Sequence, residues 1–287
     1  MMKLIGLIIL ATAATYADEA YRTFTAQDGR TLSARIVSYD AASGKVLIER
    51  ADKKRITVAP TAFSAKDQRY VDAWQTAQHF LSTSKFKLDV VRKEVNSTKK
   101  EHEVDIGEEE AGGRRGGDSG VQTVAIDKIT HYKFNLLIEN KTKIPVKNLT
   151  MEYRIYYDQE KAVKDEKANK NRREDDPRPE RYLSMEESKV KEGKLKIRAI
   201  EAGESKEFPT QSVSILKRSA SRTWGDKIDL KGSLEGVWIK LSMQGPGRDK
   251  LVREIALPPS IPKKYSWDPV EEPEAVDESE EKEEPKE

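Results

Sequence analysis

Short alternating runs of apolar and polar residues, cut by turns, open the chain after its first twenty residues. Leu32, Ala34 and Ile36 alternate with Ser33 and Arg35, and Val46 and Ile48 share a face. Asp40 to Gly44 and the polar Ala51-Asp52-Lys53-Lys54 are the turns around them, with Ile56 and Val58 following. Three or four strands at this spacing predict a small antiparallel barrel. Pro60 closes the last strand, since it cannot donate to a ladder. The period then lengthens. Ser64 reads as an N-cap with Asp67 as a first-turn anion, and Tyr70, Val71, Trp74, Ala77, Phe80 and Leu81 recur at helical steps. They predict an amphipathic helix to about Leu81, its stripe a packing face.

From Lys85 the alternation resumes in longer stretches. Phe86, Leu88 and Val90 form one stripe; Tyr132, Phe134, Leu136 and Ile138 a second; Leu149, Met151, Tyr153, Ile155 and Tyr157 a third. Leu195 to Ala199, Val213 and Ile215, Val237 to Met243 and Leu251 to Leu257 complete about seven strands. With turns at Asn140-Lys141 and Gly245-Pro246-Gly247, the pattern predicts an antiparallel β-sandwich. Its paired runs from Leu136 through Pro145 to Leu149 resemble strands of immunoglobulin-like or fibronectin-type modules. The fold class is all-β: a small barrel with a C-terminal helix, then the sandwich.

Charge redraws the boundaries. Residues 96–120 and 158–194 are rich in Lys, Arg, Asp and Glu with little to bury, so both read as mobile inserts in the sandwich, or as segments that fold on a partner. A charged helix fits 164–174. The formal net charge of +2 conceals a polarity, for residues 268–287 hold eleven carboxylates and two lysines. The end, 266–287, reads as a disordered acidic tail. At the front, Lys3, an apolar run from Leu4 and small residues ending at Ala17 have the pattern of a secretory signal peptide. The expected order is 1–17 signal peptide, 18–82 barrel and helix, 83–265 sandwich, 266–287 tail. The mature chain is expected outside the cytoplasm, periplasmic or extracellular, with no integral membrane span.

No cysteine among 287 residues excludes disulfides, thiolate metal sites and a cysteine nucleophile. The three histidines, His79, His102 and His131, lack metal spacing; His79 falls on the helix, His102 in a loop and His131 at a strand start. Gly112 to Gly117 lack the Lys-Ser/Thr of a phosphate loop. No cofactor is expected. A carboxylate pair of glycosidase type stays open, although 20 aromatics over two small β-domains supply little for a deep cleft. Residues 18–267 carry a net +10, but interleaved acids and the missing aromatic-basic motif argue against nucleic acid.

Residues 21–74 resemble a known family. Arg22-Thr23-Phe24, Asp28-Gly29, the strands Gly44 to Ile48 and Arg55 to Val58, and the closing Ser64 to Val71 are similar to the SHD domain, an SH3-like module found in a yeast endocytic adaptor and in secreted bacterial proteins. The resemblance implies an SH3-like barrel and, from the adaptor's binding of Asn-Pro-Phe peptides, a contact role for a basic residue at the position of Arg50. Lys45 and Arg55 lie on adjacent strand signals, so Arg50, Lys45 and Arg55 are the candidate contacts for a carboxylate on an extended ligand. The other reading of these cations is a solvated edge protected by charge. The expected function is an exported, non-enzymatic interaction protein recognising a peptide or cell-envelope polymer. A self-associating structural envelope protein is the alternative, and a carboxylate-dependent hydrolase the more remote one.

Overall fold

The structure, a computed structural model, describes residues 21–106, 120–170, 181–220, 228–247 and 249–267. The expected signal peptide, residues 107–119 and 171–180 of the expected inserts, and 268–287 lie outside the described residues. No described helix is long and apolar enough to cross a membrane.

The protein is built from three antiparallel sheets with few helices. In the first, β1 (Arg22–Thr25), β2 (Thr31–Asp40), β3 (Lys45–Arg50) and β4 (Arg55–Val58) follow one another as a meander. Its core face carries Phe24, Ala34, Ile36, Val46 and Ile48, closed over by Phe63, Val71 and Trp74. A 3-10 turn at Pro60–Ala62 leads into α1 (Ala65–Leu81). Ser64 caps the helix by accepting the N–H of Asp67, as the sequence pattern implies. Asp67 does more than balance the helix dipole. Buried, it accepts from Arg22 Nη2 at 2.7 Å, the Thr25 N–H at 2.8 Å and Ser64 Oγ at 3.0 Å. The Arg22 guanidinium also lies 3.6 Å from the Tyr70 ring centre, so one residue fastens β1 to α1.

The sandwich has two sheets. The second sheet pairs β5 (Phe86–Ile106) with β6 (Gly120–Asn140), whose other edge takes β9 (Ser205–Pro209) and β10 (Val213–Ala220) end to end. The third runs β12 (Lys250–Leu257), β11 (Gly232–Gln244), β7 (Val146–Lys164), β8 (Tyr182–Ile200). Successive strand pairs therefore alternate between the two sheets, as in immunoglobulin-like sandwiches. One core joins them: Phe86, Leu88, Phe134, Leu136 and Ile138 from one side meet Met151, Ile155, Ile197, Ile239 and Leu241 from the other. Phe80 of α1 belongs to this core, whereas Val71 and Trp74 belong to that of the first sheet, so the helix is shared and 82 is no clean boundary.

Two expectations are corrected. Residues 96–106, 158–164 and 182–194 are continuous strand, not mobile inserts. A hairpin satisfies its backbone across the ladder whatever its side chains, and here polar partners replace apolar burial: Lys161 from across the ladder and Lys189 along β8 flank Glu187, and Ser188 bonds Asp158 across it. Of the expected helix at 164–174, the described part is one short turn, α2 (Glu166–Asn169). The tail also begins later than 266. After α3 (Ile261–Lys264), Tyr265 and Trp267 pack on the outer face of the third sheet.

Candidate interaction face

The three predicted contact residues do not converge. Lys45 and Arg55 lie on the face of the first sheet away from its core. Arg50 has the same parity as Val46 and Ile48 and pairs in register with the fully buried Ala34, so it lies on the core side, at its rim. There its Nη2 meets Asp52 at 3.3 Å, while its Nε is buried without a partner. Lys45, at the far end of β3, is exposed.

What the outer face does gather is a row in register across the sheet, centred on Glu49, which is 5% exposed. Arg35 and Arg55 are its cross-strand partners on either side. Arg35 Nη2 lies 2.9 Å from Glu49 Oε1, Arg55 Nε lies 3.1 Å from Oε2, and the Tyr21 hydroxyl donates to Oε1 at 2.9 Å. Lys53, in the β3–β4 turn, donates to the Tyr21 oxygen at 3.0 Å. The Tyr21 hydrogen bond, followed by that of Arg55, holds the Glu49 carboxyl below its usual range; the Tyr21 hydroxyl pushes the Lys53 ammonium up. Three cations surround one carboxylate, so the row keeps a positive surplus on an open face. Arg55 remains 60% exposed along its side chain.

Parity along β3 already separates Lys45 from Arg50 in the sequence. The convergence on Glu49 was not readable there, because it depends on the β2–β3 register, which shifts between Ile36 and Ser38.

Elsewhere, two clefts stand out. One of about 390 Å3 is lined by Arg92, Phe134, Glu235, Gly236 and Pro258, among others. Its carboxylate, Glu235, is held by Lys264 at 2.6 Å. The other, of about 330 Å3, brings Asp89, Glu139 and Glu254 near Arg253. Glu254 accepts from Trp238 Nε1 at 3.0 Å and faces Lys240; Glu139 faces Lys141 at 3.4 Å. His102 is in β5, not a loop, and bonds Asp127 at 2.8 Å; His131 is inside β6 and meets Ser214 Oγ at 2.8 Å, with no carboxylate bonded to it among the described residues. Burial lowers the pKa of His79, on α1, and Lys85 adds to the effect. Among the described residues no three His, Asp or Glu side chains are grouped to hold a metal ion. No protein-family model matches the chain, and no curated protein matches it.

Proposed function

We propose that the chain is an exported, non-enzymatic interaction protein that takes a carboxylate-bearing peptide or cell-envelope polymer on the outer face of its first sheet. The observation that carries the reading is the row Tyr21–Arg35–Glu49–Arg55 with Lys53: a surface on which cations outnumber the carboxylate that organises them. Glu49 fixes the guanidiniums in place, and an incoming carboxylate meets donors whose ordering cost is already met. Lys45 extends the same face, whereas Arg50 drops out of the contact set. The similarity to SHD modules and the leader-like residues 1–17 support the SH3-like and exported parts of the reading. Among the described residues the carboxyls of Asp28, Asp40, Glu49, Asp127, Glu152, Glu187, Glu207 and Glu235 are held below their ordinary range, which disfavours these eight as general acids near neutral pH.

A labelled hexaglutamate peptide titrated by fluorescence anisotropy tests this. Lys53→Glu/Arg55→Glu should weaken binding at least about tenfold, an effect of roughly 1.4 kcal/mol, while Arg50→Gln leaves it unchanged. Equal binding by the double variant, or loss confined to Arg50→Gln, would sink the assignment. Self-association has one observation in its favour. Strand β8 ends the third sheet with its outer edge unpaired among the described residues, and Leu183, Met185 and Val190 are exposed along it. A sedimentation coefficient that rises with concentration, and stops rising in Met185→Lys, would shift the reading there.

A further inference from the structure

The outer face of the third sheet is partly roofed by the chain's own end, and the roof has a direction. Tyr265 stacks on Tyr156, ring centres 4.1 Å apart and nearly parallel. Two residues on, Trp267 stands edge-on to Trp238 at 5.1 Å, with Lys240 Nζ 4.5 Å and the Arg154 guanidinium 5.0 Å from its ring centre. Arg154 also donates to the Trp267 carbonyl. In register, Trp238 sits opposite Arg154 and Lys240 opposite Glu152. Between 265 and 267 the chain thus moves from the row of Tyr156 to the rows of Arg154 and Glu152, travelling antiparallel to β7.

The rows ahead are cationic. Lys194 pairs with Glu152 and Lys196 with Thr150 along β8, with Arg198 two residues beyond. Lys250 reaches Glu152 from β12 at 3.3 Å. Glu152 is already shared between Lys194 and Lys250, Glu254 is engaged by Lys240 and Trp238, and Glu192 by Arg154. No carboxylate among the described residues is paired with Lys196 or Arg198. What leaves Trp267 is a segment of twenty residues with eleven carboxylates, beginning at Asp268, Glu271, Glu272 and Glu274. Extended at about 3.3 Å per residue, six of its residues cover the roughly 20 Å of strand from Arg154 to the far cations.

We propose that the acidic segment 268–287 docks in cis across the outer face of the third sheet, seated by Trp267 and held by Lys194, Lys196, Arg198 and Lys250. This is independent of the ligand face on the first sheet. The docked segment shields those cations from other polyanions and releases as salt rises.

Zero-length carbodiimide cross-linking of the chain with residues 268–287 present, read by peptide mass spectrometry, tests it. The expected links join Lys194, Lys196 or Lys250 to carboxylates between Asp268 and Glu274. They fall several-fold in high salt and in Trp267→Ala, which keeps every tail charge. Mixing isotope-labelled and unlabelled protein separates cis from trans. Links between labelled and unlabelled copies would replace the cis segment by a second chain and overturn the proposal. So would links spread equally to Lys45 and Lys53 on the first sheet, or no links at all. Lys196→Glu/Arg198→Glu, a change confined to exposed side chains, gives an arm in which folding is not at risk.

Discussion

Tyr153 is buried in the middle of β7, and its hydroxyl accepts the Gln211 N–H at 2.9 Å, tying the third sheet to the segment between β9 and β10. Its phenol end lies so close to Gly193, its cross-strand partner, that a Cβ there would come within 2.1 Å of Cζ and Oη. The glycine is needed for space, since its backbone is ordinary strand. Gly193→Ala should cost about 1–3 kcal/mol through overpacking, and Tyr153→Phe about 1 kcal/mol through the lost hydrogen bond. Urea unfolding reads both. The decisive arm is a double-mutant cycle: with Tyr153→Ala in place, Gly193→Ala should become nearly neutral, because the clashing ring is gone. Additive costs would mean that the close approach is not what selects glycine.

At the scale of elements, the hairpin β5–β6 continues well beyond the apolar core, and Asp127 helps hold the extension. Arg218 of β10 grips it with two nitrogens, at 2.6 and 2.8 Å, and His102 of β5 bonds it from the other side. One carboxylate thereby clasps three strands. The Arg218 hydrogen bonds, helped by that of His102 and opposed by burial, hold its carboxyl well below the ordinary 3.8. The folded value lies below the unfolded one, so this stabilisation is complete above about pH 4 and drains away as the pH falls from there. Denaturant midpoints should drop through that window, and Asp127→Asn should flatten the fall while lowering the plateau. An unchanged slope in the variant would remove Asp127 from the clasp. The same hairpin shows what the sequence made legible. Wherever a strand buries one face, as from Phe86 to Val90 or Leu149 to Tyr157, alternation marks it plainly. Where strands are held by paired charges, as at His102 or Glu187, apolar counting finds nothing and reads a mobile insert. The candidate face divides similarly. Its cations stood in the sequence, but Glu49 looked like one acid among many, since its burial arises only when β2, β3 and β4 come into register.

For the whole molecule, the question is whether the two cores unfold together. Their bridge is α1, whose Phe80 ring lies 5.7 Å from that of Phe86 within the sandwich core. Arg253 of β12 completes the bridge: its Nη1 donates to the Phe80 carbonyl at 3.0 Å and also to the Phe86 carbonyl. Burial lowers the guanidinium to about 10, still far above neutral, so the clamp remains a cation. Here a charged donor answers one carbonyl that the helix end leaves open and a second at the start of β5. A methionine keeps the length and apolar stem but no donor, leaving both carbonyls unanswered at a cost of about 1–3 kcal/mol. Coupling through α1 predicts one calorimetric transition in the native protein. Arg253→Met should split it, with the first-sheet core melting at the lower temperature and Ser82–Lys85 becoming protease-sensitive, whereas Leu251→Ala should lower the sandwich transition without splitting it. A single, unshifted transition in Arg253→Met would show that the Phe80–Phe86 contact alone couples the cores.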